Sequence, residues 1–285
     1  MKPTIGIVGV GLMGGALAER LLAAGFPVVV HDLKRSQADA AVALGAKWSR
    51  QPPMDCDRLI FSLFTTDDVE RVLADVDGQL RPGQIIIDTT TGAPDQMQAL
   101  GGRLAERGVA YLDALISGSS EQTRRGDVTI LCGGRPGTFE ACAELLDAIS
   151  PRRRLLGDWG AGARMKLVTN LVLGLNRAAL AEGLAYAESV GFSAEEALDV
   201  LQQSAAASAV MPIKGPKMIA QDFAPQAKLR QHHKDVRLIL ESANMHLPLS
   251  EAHAILLQAA EQAGYGAHDN SAVIQVWRRG TAASE

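Results

Sequence analysis

Thiols are scarce in this chain, and their spacing does not let them cooperate. Three cysteines in 285 residues, Cys56, Cys132 and Cys142, form no CxxC pair and no even framework. A disulfide scaffold is therefore excluded, and reduced thiols in a cytoplasm are expected. Histidine is rare too: six residues, with His232-His233 adjacent but no HExxH or other ligand spacing, so no metal is expected. No uninterrupted apolar stretch reaches the ~20 residues that a membrane-spanning helix needs. Basic excess is also missing. A net charge of −4 argues against nucleic acid or an anionic membrane as the main partner. The one dense basic run, Arg152-Arg153-Arg154, reads as a solvated loop or strand edge. A secretory leader fits poorly, because Lys2 is the lone early positive charge and glycines interrupt the apolar core ahead of Ala16-Leu17-Ala18. What is present, 47% apolar and 21% charged residues, describes an ordinary globular protein long enough for two domains.

Glycine is abundant where it is costly. GVGLMG, residues 9–14, places Gly9, Gly11 and Gly14 straight after the apolar run Ile5-Gly6-Ile7-Val8. A plain tight turn is one reading. The other is a dinucleotide-binding turn, whose glycines let backbone approach a pyrophosphate at the start of the next helix, with Leu12 and Met13 lining it. The context favours the second. Thr4 to Val8 reads as a buried strand, Leu12, Leu17, Leu21 and Leu22 give a helical stripe, and Phe26 to Val30 reads as the next strand. That strand ends at Asp32, 18 residues after Gly14, near the spacing at which a carboxylate reaches the adenosine ribose hydroxyls.

Strand and helix signals then alternate through Asp57 to Leu63, Asp67 to Ala74, Gln84 to Asp88, Pro94 to Gly108, Val109 to Leu112 and Val128 to Leu131. Such alternation predicts a mostly parallel sheet covered on both faces. From Gly160 the reading is nearly all helical. Ala161 to Val190 predicts one long helix buried on most sides, followed by helices over 194–204, 235–244, 249–263 and 271–279, with Pro212, Gly215 and Pro216 breaking the chain between them. The fold class is therefore α/β: an N-terminal Rossmann-type domain over residues 1–158, then an all-α domain over 159–285, joined by a long helix. The site is expected where the two meet.

Five motifs in this order, GVGLMG, Asp113-Ala114-Leu115-Ile116-Ser117-Gly118, Gly160-Ala161-Gly162-Ala163-Arg164-Met165-Lys166-Leu167-Val168-Thr169-Asn170, Lys234-Asp235 and Asp269-Asn270-Ser271-Ala272, together resemble the β-hydroxyacid dehydrogenase family, which includes 3-hydroxyisobutyrate dehydrogenases. The resemblance spans essentially the whole chain. It implies an NAD(P)-dependent enzyme that interconverts a short β-hydroxy acid and its semialdehyde or oxo acid. Lys166 would then be the general acid in reduction and the base in the reverse direction. The chemistry suits a lysine: hydride addition leaves an alkoxide that needs a proton, burial lowers an ammonium pKa, and an arginine could not release its proton. A lone lysine is ordinarily a solvated surface charge, but Lys166 sits among Met165, Leu167 and Val168.

Asn170 lies one turn further on, either orienting the ammonium and the substrate or simply packing the helix. By resemblance, the loop with Ser117, Gly118 and Ser119 holds a small substrate carboxylate, and Lys234 reaches over it while Asp235 is structural. His232 and His233 read as surface residues. Thr89, Thr90 and Thr91 would face the nicotinamide, or form an ordinary hydroxyl-rich turn. The chain departs from the family pattern at Ser119 and Gln122, where glycines are usual, and at Phe64, where proline is common. Asp32-Leu33-Lys34 in place of Asn-Arg-Thr favours NAD, with NADP possible through Lys34 and Arg35. An imine reductase-like NADPH enzyme and a non-catalytic dinucleotide-binding relative are the alternatives, and Lys166 counts against both. A homodimer or homotetramer built through the helical half is expected.

Overall fold

Ile5-Gly6-Ile7-Val8 is buried at every residue because it runs through the middle of a sheet. In the computed structural model, which describes residues 2–280, this strand (β1, Ile5–Val8) pairs in parallel with β2 (Val28–His31) on one side and β4 (Arg58–Phe61) on the other. The sheet has eight strands in the order β3-β2-β1-β4-β5-β6-β7-β8, where β3 is Lys47–Trp48, β5 Ile85–Asp88, β6 Ala110–Ser117, β7 Thr129–Gly134 and β8 Arg153–Leu155. All neighbours are parallel except β6 and β7. Parallel strands need crossovers, and helices α1 (Leu12–Ala23), α2 (Asp39–Ala43), α3 (Thr66–Asp75) and α4 (Pro94–Glu106) supply them. The antiparallel pair is joined through the short α5 (Ser120–Arg125), and α6 (Pro136–Ala141) and α7 (Ala143–Ile149) lead to β8.

Side chains alternate across the strands, so the sheet has two apolar faces. Ile5, Ile7, Ile60, Ile87 and Leu112 pack with Leu17 and Leu21 of α1. Val8, Leu59, Phe61, Ile86 and Tyr111 pack with Met97 and Leu104 of α4 and with Trp159. The chain order runs outward from β1 to β3 and then returns to β4 beside β1. Strand order thus reverses at the carboxyl ends of β1 and β4, and GVGLMG leaves the sheet there.

After β8 the chain is helical: α8 (Ala161–Ser189), α9 (Ala194–Gln203), α10 (Met211–Ala220), α11 (Leu229–Ser242), α12 (Pro248–Gln262) and α13 (Gln275–Gly280). The helical core gathers Leu180, Leu184, Leu198, Met218, Val236, Leu257 and Ile274. By compactness the chain divides at Lys166–Leu167, inside α8. The reason is that Ala163 belongs to the apolar cluster of the sheet.

Three helical expectations need correction. Pro212, Gly215 and Pro216 do not break the chain but lie within α10. Pro212 occupies the first turn, where a missing N–H costs nothing, and a Cβ at Gly215 would lie 2.6 Å from Leu198, so glycine admits α9. Helix α8 is not buried on most sides: Val168, Val172 and Leu173 are 56%, 52% and 41% exposed. The last predicted helix begins as a 3-10 turn over Asn270–Ile274, and only then becomes α13.

Candidate cofactor and catalytic site

The three glycines of GVGLMG do different jobs. Gly9 has φ +90°, and a Cβ there would lie 2.4 Å from the Ser62 carbonyl oxygen. A Cβ on Gly14 would lie 2.0 Å from the Gly9 carbonyl oxygen. Both are required by the turn itself. Gly11 is not: its φ is −69°, and a Cβ would meet nothing within 4 Å. Gly11 is also the N-cap of α1, with no side-chain cap and no acidic residue in the first turn. The N–H groups and positive dipole end of a 12-residue helix are thereby left to an anion.

Asp32 stands beside this turn. Its Oδ2 accepts the Val10 N–H at 2.8 Å and its Oδ1 the Lys34 N–H at 2.9 Å, so one carboxylate joins the end of β2 to the glycine loop. Arg35 is drawn aside: it pairs with Asp39 and stacks over Trp48 at 5.1 Å. Leu12 is 37% exposed at the start of α1, while the Met13 sulfur accepts the Thr123 hydroxyl at 3.4 Å. Of the three threonines, Thr89 donates to the Phe61 carbonyl at 2.9 Å and Thr90 accepts from the Leu63 N–H at 3.1 Å. Those two hydroxyls serve the backbone; Thr91, half-buried, follows them.

Ser117 ends β6, and Gly118 follows with φ +156°. Ser119 Oγ then accepts the Gln122 N–H at 3.2 Å, and Gln122 Oε1 accepts the Ser119 N–H at 2.9 Å. The two departures from the family pattern are therefore partners in one capping box that starts α5. Arg124 points to α1, where it donates to Glu19 at 2.9 Å. Phe64 is 44% exposed.

Lys166 is 8% exposed on α8, and Asn170 one turn on is 6% exposed. Asn170 Nδ2 donates to Asp235 Oδ2 at 2.8 Å, and the Lys234 ammonium lies 3.0 Å from Asp235 Oδ1. Asp235 thus holds both an amide and an ammonium in place. His232 and His233 are buried rather than on the surface. The His232 ring packs 5.1 Å from that of His253, and His233 Nδ1 lies 2.8 Å from Glu261. A Cβ on Gly174 would lie 2.4 Å from His232 Nε2, so this glycine makes room for the ring.

Sequence reasoning missed the part played by Asp269. Its carboxylate accepts Lys214 at 2.8 and 2.9 Å, the N–H groups of Gln226, Ala227 and Ser271, and the Ser271 hydroxyl at 2.8 Å. Burial pushes this carboxyl up, but Lys214 and the N–H donors outweigh it and hold it below the usual range. No group of three or more metal-ligating side chains occurs among the described residues, and no described helix is long and apolar enough to cross a membrane.

A doubly wound sheet with an open helix N-terminus after β1 and an acidic residue after β2 is the arrangement of a dinucleotide-binding domain. Comparison with known proteins agrees. Residues 4–157 match the NAD binding domain of 6-phosphogluconate dehydrogenase, and residues 160–277 match the NAD-binding domain of NADP-dependent 3-hydroxyisobutyrate dehydrogenase. The chain is 33% identical to 2-(hydroxymethyl)glutarate dehydrogenase of Eubacterium barkeri, over 98% of its own length and 96% of the relative's. It is 31% identical to L-threonate dehydrogenase of Cupriavidus necator, over 97% of each. The crystal structure of 3-hydroxyisobutyrate dehydrogenase from Salmonella typhimurium superposes with a TM-score of 0.89 at 27% identity, covering 96% of this chain and all of that one. The chain belongs to the β-hydroxyacid dehydrogenase family and is an NAD(P)-dependent oxidoreductase of hydroxy acids.

Proposed function

We propose that this protein interconverts a short β-hydroxy acid and its semialdehyde or oxo acid, with Lys166 as general acid and base and NAD as the preferred dinucleotide. The observation that carries this reading is Lys166 itself, an ammonium 8% exposed on a helix whose next turn presents Asn170. When bound, the dinucleotide supplies the hydride for reduction and takes it up in oxidation. Reduction leaves an alkoxide, and Lys166 Nζ gives it a proton; in oxidation the uncharged amine takes the hydroxyl proton. Asn170, fixed by Asp235, orients the substrate oxygen toward Nζ. By the family resemblance, Ser117 and Gly118 receive the substrate carboxylate, and Lys234 is also assigned to substrate binding. Ser119 has a smaller part in this, because its oxygen is committed to the Gln122 N–H.

For the dinucleotide, Gly11 and the uncapped start of α1 take the pyrophosphate, and Asp32 accepts from the ribose hydroxyls while repelling a 2′-phosphate. The exposed stripe Val168, Val172 and Leu173 supports a homodimer or homotetramer formed through the helical unit. Buried, unpaired Cys56, Cys132 and Cys142 support a reducing compartment, the cytoplasm.

The test is Lys166→Ala, assayed with a panel that includes L-threonate, 2-(hydroxymethyl)glutarate and 3-hydroxyisobutyrate. A fall of roughly a hundredfold or more in kcat with an unchanged dinucleotide Kd is expected. Near wild-type turnover in the variant refutes the role given to Lys166.

A further inference from the structure

Asp113 is fully buried in the middle of β6, four residues before Ser117 and on the same face of the strand. Its Oδ1 accepts the Gly160 N–H at 2.9 Å, and its Oδ2 accepts the Ala163 N–H at 3.0 Å. Those donors lie 47 and 50 residues further along the chain, at the start of α8. The first turn of any helix leaves N–H groups without intrahelical acceptors, and here a strand supplies the missing acceptor from outside.

The fit around this carboxylate leaves no slack. Gly133 faces Asp113 across the β6–β7 pair. A Cβ there would lie 2.6 Å from Asp113 Oδ1 and 2.8 Å from the Ala161 nitrogen. A Cβ on Gly162 would lie 2.7 Å from Oδ2 and 2.4 Å from the Leu131 carbonyl oxygen. The helix therefore begins in direct contact with backbone of the sheet, with the carboxylate wedged between them. Lys166 follows Ala163 by three residues, about 4.5 Å along the axis at the usual rise.

We infer that Asp113 is a positioning residue: it pins the first turn of α8 to the strand that ends in Ser117, and so fixes where Lys166 stands relative to the Ser117 loop. The inference rests on the reading of Lys166 as proton donor. A misplacement of about 1 Å at a catalytic group costs on the order of a hundredfold in rate, so the anchor acts on turnover rather than on binding.

Asp113→Asn tests this in the full chain, since the amide is isosteric but must turn an N–H toward one of the two backbone donors. Hydrogen–deuterium exchange over residues 160–166 is expected to speed up about tenfold or more, with peptides from β1 and α1 unchanged. NADH Kd stays within twofold at full binding stoichiometry, which shows that the variant is folded, while kcat for the best hydroxy acid of the panel falls roughly thirtyfold with little change in KM. Asp113→Ser, smaller than aspartate and with one oxygen in place of two, gives the same pattern and serves if the asparagine variant fails to fold. Unchanged exchange at the start of α8 overturns the anchor, whatever the substrate. Faster exchange with kcat within twofold overturns the positioning role. A Lys166→Ala enzyme that keeps its turnover overturns the reading of Lys166 and, with it, the reason for positioning it.

Discussion

Replacing Gly11 with alanine separates the needs of the fold from the needs of the cofactor. At φ −69° and ψ −159°, with no atom within 4 Å of a new Cβ, alanine fits the backbone and the space. Two opposing terms then act on stability. Alanine is a poorer N-cap than glycine by about 0.5–1 kcal/mol, while the less flexible unfolded chain returns about 0.4–1 kcal/mol. They nearly cancel, so the melting temperature moves by no more than a few degrees. Binding has no such compensation. A methyl group at the mouth of α1 keeps a pyrophosphate from the N–H groups of the first turn, and each charge-assisted hydrogen bond lost costs about 1.5–3 kcal/mol. One such loss raises the NADH Kd by roughly 10- to 150-fold. Gly14→Ala is the contrasting variant: its Cβ would lie 2.0 Å from the Gly9 carbonyl oxygen, so the turn itself must open and the protein loses several degrees of stability or fails to fold. Calorimetric titration with NADH and thermal unfolding of both variants make the measurement. A Gly11→Ala protein that binds NADH like wild type refutes the assignment of this turn to the pyrophosphate.

Asp32 and the diversion of Arg35 toward Asp39 give an expected kcat/KM at least tenfold higher with NAD than with NADP; steady-state kinetics showing the reverse order refute it. Lys214→Met strands the Asp269 carboxylate, which is 0% exposed, and is expected to cost about 3–5 kcal/mol in chemical denaturation, whereas a cost below 1 kcal/mol denies the pair its structural role. Burial, helped by Arg177 and His233, pulls His253 down to about 3, so the neutral ring is kept in the folded state. The unfolded chain protonates it near 6.5, and its contribution to stability is therefore lost as pH falls, by roughly 2 kcal/mol at pH 5. Burial pushes Asp88 and Asp113 the other way, to about 6 and about 7, so their burial penalty is relieved as pH falls from 8 to 5. His253→Leu is accordingly expected to melt higher at pH 5 than at pH 8; an acid-sensitivity equal to that of wild type would show that His253 is not its source.

Much of the fold was legible because it is written locally. Apolar runs bounded by turn residues gave the strands, a 3.6-residue stripe gave α1, and the glycine loop followed by Asp32 gave the switch point. The elements misjudged were those whose partner is distant. The burial of His232 and His233 depends on Gly174, His253 and Glu261, none of them a near neighbour in sequence. Pro216 lies inside α10, beside the point where α9 packs on that helix at Gly215. Two misses did carry a local signal. Ser119 and Gln122 spell the S-x-x-Q capping box, and reading it would have shown that the two departures from the family pattern compensate each other. Pro212 ahead of a run of helix-compatible residues was equally readable as a first-turn proline.

The site residues share a device that no single motif reveals. Asp32 takes the N–H groups of Val10 and Lys34, Asp113 those of Gly160 and Ala163, Asp235 the Asn170 amide together with the Lys234 ammonium as an ion pair, and Asp269 the donors of Lys214, Gln226, Ala227 and Ser271. An ionised carboxylate is suited to this because it offers two oxygens that only accept, so donors from two chain segments can be held at one point. Asparagine would turn a donor toward one of them, and the longer glutamate would hold them less rigidly. Each aspartate secures a different part of the fold: the glycine turn, the start of α8, the Asn170–Lys234 pair, and the loop ahead of α13. The motifs that carry the family resemblance therefore include three of the clamps, Asp113, Asp235 and Asp269, alongside the residues proposed for chemistry. The proton transfer proposed for Lys166 requires a fixed helix as much as an ammonium, and Asp113 is the group in contact with that helix's first turn.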